Sequence, residues 1–201
     1  MSVHPAPRVL CVMGSPRRGG NSERLLEACI EGVRGAGGLP DVLVAAEAGA
    51  LPCRGCNTCS RTGECVIADG MADVYRRIDA ADALVVASPV YFATVPAVLK
   101  VLYDRMQPYW ARVHRLGHTP PARRPGAYLV VGGGGDPFGF RAAVDTTRSV
   151  FAVLGIDYLD ELCVEGPDAP GDVLSYPGEL DRAAAIGTAV VAAAHSRRTT
   201  G

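Results

Sequence analysis

The feature that most constrains this chain is the alternation of short apolar, β-branched runs with segments of helical periodicity, a pattern that folds as a parallel sheet wrapped by helices. Strands are expected near residues 8–13, 41–45, 83–88, 127–132 and 156–163, and helices near 22–35, 71–80, 95–107, 141–154 and 178–195. Right-handed crossovers and this count predict an α/β, doubly wound, five-stranded parallel sheet ordered 2-1-3-4-5 with helices on both faces. Ligands of such a sheet gather beyond the carboxyl ends of the strands, near the reversal of strand order. Function is therefore expected in the loops after Met13, Ser88 and Val131.

A length of 201 residues suits a single domain, expected over 1–195, with a cysteine-rich insertion at about 46–70 and a frayed tail at 196–201. The insertion is long for a connection, which marks it as functional. A net charge of -1 supplies no broad field for nucleic acid or an anionic membrane. The longest apolar runs are strand-sized, and Arg8 to Met13 is too short for a signal-peptide core, so a cytoplasmic protein is expected.

The first loop, Gly14-Ser15-Pro16-Arg17-Arg18-Gly19-Gly20-Asn21-Ser22, leaves a strand and enters an amphipathic helix. Its side chains, the free N–H groups of the helix start and the helix dipole all favour an anion there. It is not a Walker A loop, because Gly20 stands where the lysine would be, nor a dinucleotide loop, because Pro16 replaces the second glycine. A plain strand-to-helix turn capped by Asn21 or Ser22 is the alternative. The third strand runs into Pro89-Val90-Tyr91-Phe92, whose aromatics suit a flat ring, and the fourth ends in Gly132 to Gly135, where backbone can approach a ligand closely. All three loops fall on one edge of the sheet.

Seven cysteines in a reducing compartment are not expected to be structural disulfides. Cys11, Cys29 and Cys163 read as small core residues. Cys53, Cys56, Cys59 and Cys65 have the spacing C-x2-C-x2-C-x5-C, which lets thiolates from one tight loop converge on an iron-sulfur cluster, with Gly55 and Gly63 permitting the turns. Zinc, a redox disulfide, and a metal-free loop packed at a dimer edge remain open alternatives. The histidines His4, His114, His118 and His195 fall in expected termini or loops and read as exposed.

Together, G-S-P-R at 14–17 with Asn21, P-C-R-G-C-N-T-C-S-R-T-G-E-C at 52–65, S-P-V-Y-F at 88–92, P-A-V-L-K at 96–100 and D-R at 104–105 resemble the NADPH-dependent FMN reductase-like proteins, which have the flavodoxin-like fold, and most closely their iron-sulfur flavoproteins. The resemblance implies that Ser15, Arg17, Asn21 and Ser22 hold the FMN phosphate, that Pro89, Val90, Tyr91 and Phe92 line the isoalloxazine, and that Gly133, Gly134 and Gly135 approach the ring. It further implies a 4Fe-4S cluster on Cys53, Cys56, Cys59 and Cys65. Two departures stand out: Asp136-Pro137 follows the glycines where the family often has Gln-Glu, and Ala68-Asp69-Gly70-Met71 stands where it often has paired aspartates.

The expected activity is that of an FMN-dependent oxidoreductase passing electrons from a ferredoxin-like donor through the cluster to FMN and a small acceptor, with no acid-base triad. The alternatives are a cluster-free NAD(P)H-dependent FMN or quinone reductase, and a flavodoxin-like electron carrier or redox sensor. The apolar stretch from Val95 to Met106, with Tyr109 and Trp110, predicts an isologous homodimer or a tetramer of two such dimers.

Overall fold

The structure, a computed structural model, describes residues 5–200. Five strands, β1 (Arg8–Met13), β2 (Leu39–Val44), β3 (Ala83–Pro89), β4 (Arg124–Gly132) and β5 (Ile156–Glu165), form one sheet in the order β2-β1-β3-β4-β5. Every pairing is parallel. This is the flavodoxin-like arrangement expected from the sequence.

Side chains alternate across the sheet and so feed two cores. Val9, Cys11 and Met13 face one way, onto α1 (Asn21–Gly35) and α7 (Pro177–Thr200). Leu10 and Val12 face the other, onto α3 (Met71–Ala80), α4 (Ala97–Asp104), α5 (Gln107–His114) and α6 (Arg141–Val153). A one-turn helix, α2 (Cys59–Thr62), lies within the cysteine loop. At the opposite edge of the sheet from the expected site, Arg124 donates to Ile78 O, Ala81 O and Leu154 O at 2.6, 2.9 and 3.1 Å, satisfying carbonyls at the ends of α3 and α6. Among the described residues, no helix is long and apolar enough to cross a membrane.

Several local expectations change. The helix expected at 95–107 is two helices: Pro96 holds extended backbone before α4, and Pro108 restarts the chain in the first turn of α5. Val95, Leu99, Leu102, Tyr103, Met106 and Tyr109 are buried in the chain's own core, so the apolar surface expected to drive self-association is already covered. Cys11 and Cys29 are buried as expected, but Cys163 is exposed, because β5 is an edge strand whose Leu162 and Val164 take the covered face. Ser196 to Thr200 lie within α7, and Arg197 is paired to Asp157 at 2.6 Å. His114 and His118 are exposed, His195 is half-buried on α7, and His4 lies outside the described residues.

Candidate functional site

Order reverses between β1 and β3, so the loops that follow them diverge and open a crevice at the carboxyl edge. Gly14 continues the ladder, its N–H donating to Ala87 O at 2.7 Å. A Cβ on Gly14 would stand 2.6 Å from Leu99 and 3.0 Å from Ala87 O, so β1 leaves the sheet against α4 only with glycine there. Ser15 Oγ then accepts the Arg17 N–H at 3.1 Å and turns the chain toward α1.

The start of α1 faces a small cavity of about 90 Å³, whose lining includes Ser15, Arg17, Asn21, Ser22, Pro89, Val90, Tyr91 and Gly133. Helix geometry leaves the Asn21 and Ser22 N–H groups without intrahelical acceptors. Ser22 is buried, and among the described residues neither its hydroxyl nor the Arg17 guanidinium has a hydrogen-bond partner. A hydroxyl, a cation and two free N–H groups at a helix start fit a phosphate.

Asn21 has a different employment. Its amide donates to Ala169 O at 3.0 Å and its Oδ1 accepts the Val173 N–H at 3.2 Å, so it ties the segment after β5 to the helix start. Glu23 accepts the Gly19 N–H and pairs with Arg18 at 3.3 Å, holding the loop's tip in shape.

An adjoining cavity of about 320 Å³ shares Val90, Gly132, Gly133 and Asp168 with the first and adds Phe92, Gly134, Asp136, Phe140 and Glu165. Gly134 has φ +86, and Gly133 passes so close to Asp168 that a Cβ would be 3.0 Å from its side chain. Gly135 also has positive φ, but it lies outside the lining of both cavities. Tyr91 and Thr94 bridge across a two-residue turn in which Phe92 and Ala93 both have positive φ, +49 and +66, where Asn-Gly is the usual choice. That turn leaves Phe92 99% exposed at the cavity mouth. Behind it, Ser88 Oγ and Tyr128 OH share a buried hydrogen bond of 2.7 Å, fixing the end of β3 against β4.

The four loop cysteines line a third cavity, of about 370 Å³, together with Asp104, Arg105, Gln107 and Pro108. Gly55, Asn57 and Gly63 make the turns with positive φ. Burial raises the Cys59 thiol's pKa, and the thiols of Cys65, Cys53 and Cys56 raise it further. Hydrogen bonding with Thr58 lowers that of the exposed Cys56. Four thiols on one cavity fit an iron-sulfur group in donor type and number. Among the described residues the sulfurs do not themselves form a closed metal-holding group.

The sequence had drawn attention to the Asp104-Arg105 pair without giving it a role. Arg105, only 1% exposed, forks onto Asp69, with Nη1 to Oδ2 at 2.7 Å and Nη2 to Oδ1 at 3.1 Å. Burial pushes the Asp69 carboxyl pKa up, but hydrogen bonds from Arg105, Leu51 and Met71 outweigh it and hold it below the usual range. Gly70 explains one departure from the family pattern: a Cβ there would stand 1.6 Å from Ala48 O, so a second aspartate has no room. Asp168 and Glu165 were not anticipated either, since Glu165 ends β5 beyond the strand expected at 156–163 and Asp168 follows it in a segment with no periodicity to announce it.

The family profile described as NADPH-dependent FMN reductase matches residues 7–166. An iron-sulfur flavoprotein of Archaeoglobus fulgidus is 29% identical over 188 residues, covering 92% of this chain and 80% of the relative. One from Methanosarcina thermophila is 37% identical over 98 residues, 49% of this chain and 51% of the relative. In fold, the chain is similar to an NAD(P)H:quinone oxidoreductase from Methanothermobacter marburgensis, with a TM-score of 0.68 at 21% identity over 91% of this chain and 96% of the other. It is also similar to a flavodoxin from the domain Archaea, with a TM-score of 0.58 at 12% identity over 94% and 99%. The chain belongs to the NADPH-dependent FMN reductase family, is similar to iron-sulfur flavoproteins within it, and is a flavin-dependent oxidoreductase.

Proposed function

We propose that this oxidoreductase takes single electrons from a ferredoxin-like protein, through a 4Fe-4S cluster on Cys53, Cys56, Cys59 and Cys65, to FMN and on to a small acceptor. The observation that carries this reading is that four cysteines from one loop line a single cavity beside a buried arginine. A bound flavin exchanges either hydride or single electrons and a cluster only single electrons, so the pair converts one regime into the other. The chain's own part is positioning. Arg17, Ser22 and the start of α1 receive the phosphate, with Ser15 shaping the turn and Asn21 anchoring the segment across from it. Pro89, Val90, Tyr91 and Phe92 receive the ring from one side and Gly133 and Gly134 from the other. Helix α4 begins just after the ring loop and ends at the cysteine cavity, and its eight residues rise roughly 12 Å between the two.

A cluster-free NAD(P)H-dependent quinone reductase is the second reading, favoured by sulfurs that do not close into a metal-holding group among the described residues. Residues 1–195 act in either case as one domain with the cysteine loop inserted, in a cytoplasmic homodimer or tetramer. An anaerobic absorbance spectrum, with iron, sulfide and flavin quantified on the same sample, tests the choice. Equal iron and sulfide in cubane proportion to flavin supports the cluster. Flavin without iron after anaerobic reconstitution, with sustained turnover of NADPH and a quinone, replaces it with the second reading.

A further inference from the structure

The Asp69–Arg105 pair touches neither flavin cavity, yet it joins both ends of the cysteine loop to the helical layer. Arg105 Nη1 donates to Leu51 O at 2.7 Å as well as to Asp69, and Asp69 in turn accepts the Leu51 N–H at 2.7 Å and the Met71 N–H at 3.0 Å. Leu51 precedes the first cysteine and Asp69 follows the last, so one guanidinium fixes the span across which the four thiols are strung. Tyr75 OH donates to Arg105 O at 2.6 Å and anchors the arginine from α3. A second arginine supports the middle of the loop, Arg112 Nε donating to Gly63 O at 2.9 Å.

Arg105 also forms part of the cavity wall beside the cysteines, and Cys65 lies close enough to act on its charge. Its Nε–H is buried and has no acceptor among the described residues. A buried donor left unsatisfied inside a protein is uncommon and calls for an explanation. Sulfur acceptors in the cavity would supply one, since hydrogen bonds and nearby charge are two of the levers by which a protein tunes an iron-sulfur centre.

We propose that Arg105 is a positioning residue for the cysteine site, holding the loop at fixed span and, by its charge and free buried N–H, raising the reduction potential of the iron-sulfur group, while Asp69 opposes that effect. This rests on the reading of the four cysteines as cluster ligands. A cation beside the group favours its reduced, more negative form, whereas an anion disfavours it. The two partners of one ion pair therefore act on the potential with opposite sign, which a purely structural pair does not do.

The test is a redox titration of anaerobically reconstituted protein, followed by electron paramagnetic resonance, with iron release to a chelator timed in parallel. Arg105→Gln is expected to lower the midpoint potential and Asp69→Asn to raise it, while both release iron about tenfold faster than the parent. Arg105→Lys keeps the charge but loses the fork and the Nε–H, so its potential should fall between those of the parent and Arg105→Gln, and it should still release iron faster. If Arg105→Gln does not fold, Asp69→Asn and Arg105→Lys decide the matter. An Asp69→Asn potential equal to or below the parent's overturns the proposal. A parent protein that takes up neither iron nor sulfide removes the cluster reading itself, a different result from a loaded parent whose variants share its potential.

Discussion

Ser22 is a buried hydroxyl at the start of α1 that lines the small cavity without a partner among the described residues, which makes it the most direct probe of the phosphate site. Ser22→Ala is expected to weaken FMN binding by about 1 kcal/mol in a fluorescence titration, through loss of one hydrogen bond to a charged group. Adding Asn21→Ala should weaken it further, and the structure indicates how: Asn21 holds the backbone at Ala169 and Val173, so its loss frees the wall opposite. Unchanged affinity in the double variant would remove this loop from the site. Asp69 gives a prediction in pH. Its folded pKa is depressed, so the stability it contributes is fully present above the unfolded value of about 3.9 and is lost as pH falls through the lower folded value. Urea unfolding at a series of pH values should show a steeper acid loss in the parent than in Asp69→Asn, whose side chain does not titrate. Parallel curves would mean that the ion pair contributes no pH-dependent stability.

The elements were legible where periodicity spoke. All five strands and their order follow from apolar runs and crossover handedness, because a buried parallel sheet requires both. Legibility fails where a contact between elements decides. The break between α4 and α5 at Arg105 and Met106 needed Pro108 to be given its full weight, since the apolar pattern continues through it. Asn21 was legible as part of the first loop, but not its bonds to residues about 150 positions away. The exposure of Cys163 depends on where helices stop covering an edge strand, which no local pattern records. The crossing of α1 and α7 is another such contact. A Cβ on Gly32 would be 1.9 Å from Ala184 O, and one on Gly187 would be 2.1 Å from Cys29 O, so each helix lets the other's backbone come close. Gly32→Ala should therefore destabilise the protein by about 1–3 kcal/mol in urea unfolding, as overpacking does when backbone is the obstacle. A gain in stability, as expected at an open helical position, would show that the crossing has slack.

At the scale of the whole molecule, two adjoining cavities share Val90, Gly132, Gly133 and Asp168, and the cysteine loop lines a third. Cys59→Ser should remove one thiolate and with it the iron, while flavin stays bound. In stopped-flow absorbance, reduction of FMN by a one-electron protein donor should then become much slower and reduction by dithionite should survive. An iron-free variant that accepts electrons from the protein donor as fast as the parent would refute the relay. The expectation of assembly now rests on different residues from those the sequence suggested. Helices α4 and α5 bury their apolar residues internally, whereas Phe92 is 99% and Phe138 70% exposed near the same cavity. Such aromatics are suited to burial by a second copy. Sedimentation is expected to give a dimer or tetramer with flavin bound, and Phe92→Ser to shift it toward monomer. A flavin-loaded monomer at micromolar concentration would contradict this. The seam between α1 and α7 also bears on how the chain is made. Helix α1 is synthesised well before the α7 that packs on it, and at 5–20 residues per second the apolar stripe of Leu25, Cys29 and Val33 waits on the order of ten seconds for that partner. A nascent chain interrupted before Pro177 therefore lacks the cover that α7 gives this stripe, which makes its early half a natural client for chaperones during synthesis.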